Sequence, residues 1–196
     1  MTATIATTTG DIDDLQLARQ VEQGDARAMR LLYEHFVPGL ASVCARYVPN
    51  DDDVSDVLQD SFVAIFTQIG NFSYKGPGSL RAWMTRIVMN KAINCLKKTK
   101  RLSSIELRDQ ELPDVPDDET DADADRIPID VIHDMIRQLP DGYRTVFNMS
   151  VIDHCSHIEI AEALGIKRET SASQLHRAKA LLAKQIKDYL KTHEIE

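Results

Sequence analysis

Residues 103 to 130, SSIELRDQELPDVPDDETDADADRIPID, hold eleven Asp or Glu against two Arg, together with three prolines. No apolar residue recurs there at helical or strand spacing, so the stretch cannot bury enough surface to offset the entropy of ordering it. It reads as a flexible acidic linker. A linker at that position splits a chain of 196 residues into two short pieces. Each piece must then close its own small core, which a 43% hydrophobic content allows. The expected organisation is all-α: two small helical domains, 1–102 and 128–196, joined by a linker over 103–127.

The charge missing from the linker collects immediately before it. Residues 71 to 102, NFSYKGPGSLRAWMTRIVMNKAINCLKKTKRL, carry eight Lys or Arg and no acid in a chain of net charge −8. Solubility is served by interspersed signs, so segregation on this scale points to a polyanion such as a phosphate backbone. A helix is expected from about Ser79, with Ser79 as its cap and Leu80, Trp83, Met84, Ile87, Val88, Ile93 and Leu96 as its apolar stripe. Arg86, Asn90, Lys91, Asn94, Lys97 and Lys98 fall away from that stripe. The preceding loop sets Phe72 and Tyr74 among glycines and a proline. Aromatics beside cations suit unstacked bases, since a ring stacks on any base while the cations follow the backbone.

Three helices are expected ahead of this segment. Asp11 to Asp14 offer a helix start, Gly24-Asp25 breaks and recaps the chain, and Ala28, Leu31, Leu32, His35, Phe36, Leu40, Val43 and Tyr47 extend an amphipathic helix with room for a kink at Pro38. Asn50 and the following Asp run start the third, expected to end near Ile69 with Gly70 as its stop. Its outer face carries Asp53, Asp56, Gln59 and Asp60, spaced to cluster on adjoining turns.

Beyond the linker, IDVIHDMIRQL supplies a short helix before the Leu139-Pro140 break, and a second follows. Then comes the most specific local motif, SHIEIAEALGI. Ser156 with Glu159 forms a capping box, Ala161 lets a second helix cross, Gly165 makes a tight turn and Ile166 fills the core between the helices. This is the pattern of a helix-turn-helix. Its second helix is expected to expose Lys167, Arg168, Thr170, Ser173, Gln174, Arg177 and Lys179, residue types suited to base edges and phosphates in a major groove.

Other classes find little support. No apolar run approaches the ~20 residues of a membrane span and no secretory leader opens the chain, so a cytoplasmic location without membrane insertion is expected. Cys44, Cys95 and Cys155 stand singly, without zinc-site pairing, and read as small buried hydrophobes. The Asp cluster has no His beside it, so neither an enzyme, a metal nor a cofactor is expected.

Taken in order, DDDVSDVLQDSFVAIFTQIGNF, GSLRAWMTRIVMNKAINCLKK and LPDGYRTVFNMSVIDHCSHIEIAEALGIKRETSASQLHRAKALL resemble the small extracytoplasmic-function (ECF) sigma factors of bacterial RNA polymerase. The resemblance implies a first domain that binds core RNA polymerase and opens the −10 element, and a second that reads the −35 element as duplex. It implies polymerase contacts at Asp53, Asp56, Gln59, Asp60 and Phe62. It implies single-strand contacts at Phe72, Ser73, Tyr74, Lys75, Arg81, Trp83, Arg86, Asn90 and Asn94, with Lys91, Lys97 and Lys98 on phosphates. For the −35 element it implies Lys167, Arg168, Thr170, Ser171, Ser173, Gln174 and Arg177, to which the exposed helix face adds Lys179. Ala172 and Gln174 stand where many members carry basic residues, and Glu169 where Gly is frequent. An anti-sigma protein is a candidate further partner. The rival reading is a helix-turn-helix regulator of duplex DNA that is no polymerase subunit.

Overall fold

A computed structural model describes residues 13–98 and 127–193, and within them every regular element is helical. Residues 99–126, nearly all of the expected linker, lie outside the described residues, as do the two ends. The last linker position, Ile127, is 6% exposed and belongs to a core.

The first module contains α1 (Asp14–Glu22), α2 (Ala26–Tyr47), α3 (Asp51–Gln68) and α4 (Ser79–Lys98). Three starts follow the sequence signals. The Asp13 carboxylate accepts from the Leu15 and Gln16 N–H groups, Asp25 from Arg27 and Ala28, and Asn50 from Asp52. Each side chain thereby satisfies donors that a helix start leaves without a partner. Helix α2 runs unbroken through Pro38. Leu31 and His35, expected on its inner stripe, lie exposed instead.

Two boundaries differ from expectation. Helix α3 stops at Gln68 and tightens into a 3-10 turn, Ile69–Asn71. Gly70 is not the left-handed stop, since it has no positive φ. Its missing side chain instead admits Glu22, whose Oε1 would lie 3.0 Å from a Cβ there. Nor does Ser79 cap α4, because its hydroxyl accepts from the Lys75 N–H. The cap comes from α1: the Asp14 carboxylate takes the N–H groups of Gly78 at 3.0 Å and Leu80 at 3.4 Å.

The second module contains α5 (Ile129–Gln138), α6 (Asp141–Phe147), a π-helical turn (Asn148–Ile152), α7 (His157–Leu164) and α8 (Arg168–Thr192). Both halves of the Ser156/Glu159 capping box form, and Gly165 closes α7 in the left-handed region at φ 72°. Helices α7 and α8 thus make the expected helix-turn-helix.

Two buried clusters hold the chain together. One gathers α1 to α4 around Leu32, Tyr47, Ile65, Leu80, Met84 and Ile93, and extends without a break into Val146, Met149, Ile160 and Leu164 of the second module. The other joins α5, α6 and α8 through Met135, Leu139, Tyr143, Ala178 and Leu182. The modules are therefore in contact.

Candidate nucleic-acid interface

The outer face of α3 presents Asp56, Gln59 and Asp60 to solvent, with Asp53 half-buried. Val63 continues the same helical row and is 61% exposed, and Tyr33 of α2 is 47% exposed. Tyr33 leans on Phe62 with ring centroids 4.6 Å apart, and Phe66 lies beyond. This face is acidic and apolar together, its exposed apolar side chains rimmed by polar ones. Phe62 is placed differently from the contact role the resemblance implies. It is 4% exposed, because its row on α3 is the inward one shared with Ile65. Tyr33 and Val63, which pattern reading overlooked, occupy the surface in its stead.

The α4 surface is built from the loop upward. Asp14 fixes where α4 begins, and so fixes the loop before it. There Ser73, Tyr74 and Lys75 are exposed, while Phe72 folds back onto Trp83 with centroids 5.7 Å apart, both rings half-buried. From Trp83 one stripe runs along α4: Arg86, Asn90, Asn94, Lys97 and Lys98, all exposed, with Lys91 half-buried beside it. Arg81 sits on another row, its guanidinium 5.2 Å from the Phe36 ring centroid. Ring faces, side-chain amides and cations therefore follow one another along a single helix face. Rings can stack on bases, amides can pair with base edges, and the cations can follow phosphates.

Lys97 is not free on that stripe. Its Nζ donates to the Ala163 carbonyl at 2.6 Å, across the modules. Arg86 lies close enough to Glu159 to help lower that carboxyl's pKa, after the backbone and hydroxyl hydrogen bonds from Ser156, which matter more.

On α8, Lys167, Arg168 and Lys179 are exposed, while Thr170, Ser173 and Arg177 are half-buried. Two residues depart from expectation. Ser171 and Gln174 are completely buried. With Ala178 and Leu182 they form a row at i, i+3, i+7 and i+11, which is the face α8 turns toward its own module. Ser171 Oγ lies 2.9 Å from His157 Nδ1, whereas neither amide atom of Gln174 has a hydrogen-bond partner among the described residues. Polarity had placed Gln174 outside; helical period places it inside.

No group of three His, Cys, Asp or Glu among the described residues could hold a metal ion. No described helix is long and apolar enough to cross a membrane.

Each of the two modules matches a known family. The family "Sigma-70 region 2" matches residues 32–102, and "Sigma-70, region 4" matches residues 129–182. The chain is 30% identical to the RNA polymerase sigma-H factor of Pseudomonas aeruginosa, over 91% of this chain and 96% of that protein. It is 27% identical to the ECF RNA polymerase sigma-E factor of Haemophilus influenzae, over 89% and 96% respectively. Among solved structures, that of CnrH in complex with the cytosolic domain of CnrY is similar at 26% identity and a TM-score of 0.49, covering 89% of this chain and 97% of that one.

Proposed function

The chain belongs to the ECF sigma factors of bacterial RNA polymerase and is a transcription initiation factor, and we propose on that premise how its surfaces divide the work. The first module docks on core polymerase through the α3 face of Asp53, Asp56, Gln59 and Asp60, with Tyr33 and Val63 as apolar partners. Bases leaving the −10 stack are received by the Phe72–Trp83 pair and by Asn90 and Asn94, while Arg86, Lys91, Lys97 and Lys98 follow the strand. The second module reads the −35 duplex with Lys167, Arg168, Thr170, Ser173, Arg177 and Lys179.

The observation that carries this reading is the α4 stripe, where rings, amides and cations share one face in a stretch of chain with no Asp or Glu from residue 71 to 98. Melting needs no catalytic group in this scheme. Binding energy captures the unpaired strand, and the factor works in the cytoplasm beside the polymerase. A regulator confined to duplex DNA would not need residues 32–102, so the rival reading gives way.

A fluorescent base analogue placed in a promoter, with reconstituted holoenzyme, tests the division. Replacing Trp83 by Ala should cut strand opening about 5- to 150-fold and leave polymerase affinity within about twofold, since each base-stacking contact contributes about 1–3 kcal/mol, and Asn90→Ala should impair the same step. Asp56→Lys with Asp60→Lys should do the reverse. Loss of the same step by both variants would overturn the assignment.

A further inference from the structure

Helix α1 holds both ends of the loop that leads from the 3-10 turn into α4. At the far end the Asp14 carboxylate takes the N–H groups of Gly78 at 3.0 Å and Leu80 at 3.4 Å, both on Oδ2. At the near end Glu22 meets Gly70, where a Cβ would come within 3.0 Å of its Oε1. Glu22 lies eight residues along α1 from Asp14, a span of about 12 Å. Between them Leu17, Ala18 and Val21 are buried in the core that also takes in Ile69 and Leu80, the residues flanking the loop. Apolar packing therefore seats α1 as a splint, and its carboxylates reach the two ends of the loop.

The loop needs such a constraint. Gly76 and Gly78 stand at φ 123° and 79°, in the left-handed region, and glycine loses more freedom on ordering than any other residue. Inside the loop the Lys75 N–H donates to the Ser79 hydroxyl at 3.3 Å and the Ser79 N–H to the Gly76 carbonyl at 3.1 Å. Both bonds run between residues 75 and 79, so neither ties the loop to the rest of the module. The bonds to Asp14 do. Phe72 stands at the start of the loop and Trp83 about one turn inside α4, so the pairing of these two rings depends on how the chain between them is held.

We propose that Asp14 is a positioning residue for capture of the unpaired −10 strand: it touches no base, and by fixing the backbone from Gly78 to Leu80 it holds the loop in the shape that presents Phe72, Tyr74 and Trp83 to that strand. This rests on the function proposed above for α4. Without the carboxylate the loop samples other shapes, and strand affinity falls by the fraction that remains competent. A lost helix cap amounts to about a fivefold change. Selectivity among bases relaxes with it, because a loop of several shapes discriminates less.

The test uses the full chain assembled with core polymerase. Asp14→Ala removes the acceptor, Asp14→Asn keeps a neutral oxygen that makes a weaker bond, and Asp13→Ala removes the cap of α1 itself while leaving the loop contact in place. Each holoenzyme is titrated with single-stranded DNA and put through a selection from a pool randomised over the −10 positions. Asp14→Ala should bind the strand about fivefold more weakly and accept a broader set of bases, with polymerase affinity within about twofold of wild type. Asp14→Asn should fall between, at a loss of about twofold. Asp13→Ala should keep the wild-type preference even where its melting temperature drops. Amide exchange in the free proteins should quicken at Gly78 and Leu80 in Asp14→Ala and not in Asp13→Ala. If Asp14→Ala misfolds, Asp14→Asn alone decides between a loss and none. Unchanged strand affinity and preference on losing Asp14, with dependence on Trp83 intact, overturn the positioning role alone. Equal effects of Asp13→Ala and Asp14→Ala overturn it too, since Asp14 then only stabilises α1. If Trp83→Ala also binds the strand as wild type does, the proposed use of α4 fails and the positioning role with it.

Discussion

Gln174 offers a direct measure of how the recognition helix is seated. Its side chain is fully buried and neither amide atom is paired among the described residues. A buried polar group without a partner costs about 1–3 kcal/mol of desolvation. Methionine has nearly the same length and helix propensity and no polar group to desolvate, so Gln174→Met should stabilise the protein by about 1–3 kcal/mol. For a chain of this size that raises the melting temperature by about 2–4 °C per kcal/mol. Calorimetry or a circular dichroism melt measures it, and a binding-site selection with reconstituted holoenzyme asks whether −35 preference moves. Higher stability with unchanged preference is expected. Loss of stability, or altered base preference in a folded variant, would refute the inward placement and return Gln174 to the groove.

Two further expectations concern local chemistry. Glu159 accepts from the Ser156 N–H and hydroxyl at 2.9 Å each, which lowers its carboxyl pKa below the usual range. A depressed folded pKa adds stability above the unfolded value and loses it as pH falls through the folded one, so part of the module's acid sensitivity should vanish in Glu159→Gln, as melts recorded from pH 6 to pH 3 would show. Cys44 is fully buried, and burial, followed by the neighbouring Cys95, pushes its thiol up to about 12. Iodoacetamide at pH 8 should leave Cys44 unmodified in the native protein and alkylate it in urea, which peptide mass spectrometry distinguishes.

What could be read from the chain in advance tracks how local the physics is. The Ser156/Glu159 box and the left-handed Gly165 are decided within a turn or two, and the sequence pattern located both. The α4 stripe was also visible, because helical period and charge segregation coincide there. Asp14 was not, since the donors it satisfies are 64 and 66 residues away and Ser79 offered a nearer, wrong candidate. Phe62 and Gln174 failed for a related reason. The resemblance suggests a contact role for Phe62 and residue type suggests one for Gln174, while the row each occupies on its helix puts it inside. The joint between modules left no trace in either half alone, because Asp153 reads as an ordinary loop acid until the Arg46 and Tyr47 side chains are brought to its carboxylate.

The last turn of α2 shows what that joint implies for hydration. A helix end leaves its final carbonyls without donors of its own, and those of Arg46 and Tyr47 are served by Asn148 and Arg144, from beyond the linker. Were the modules to part, both oxygens would have to turn to water, and the Val48 amide, bonded to the Cys44 carbonyl at 3.0 Å, would lie beside the newly wetted turn. Deuterium uptake at that amide would therefore register what happens to a helix a hundred residues downstream, making the end of α2 a built-in gauge of domain separation.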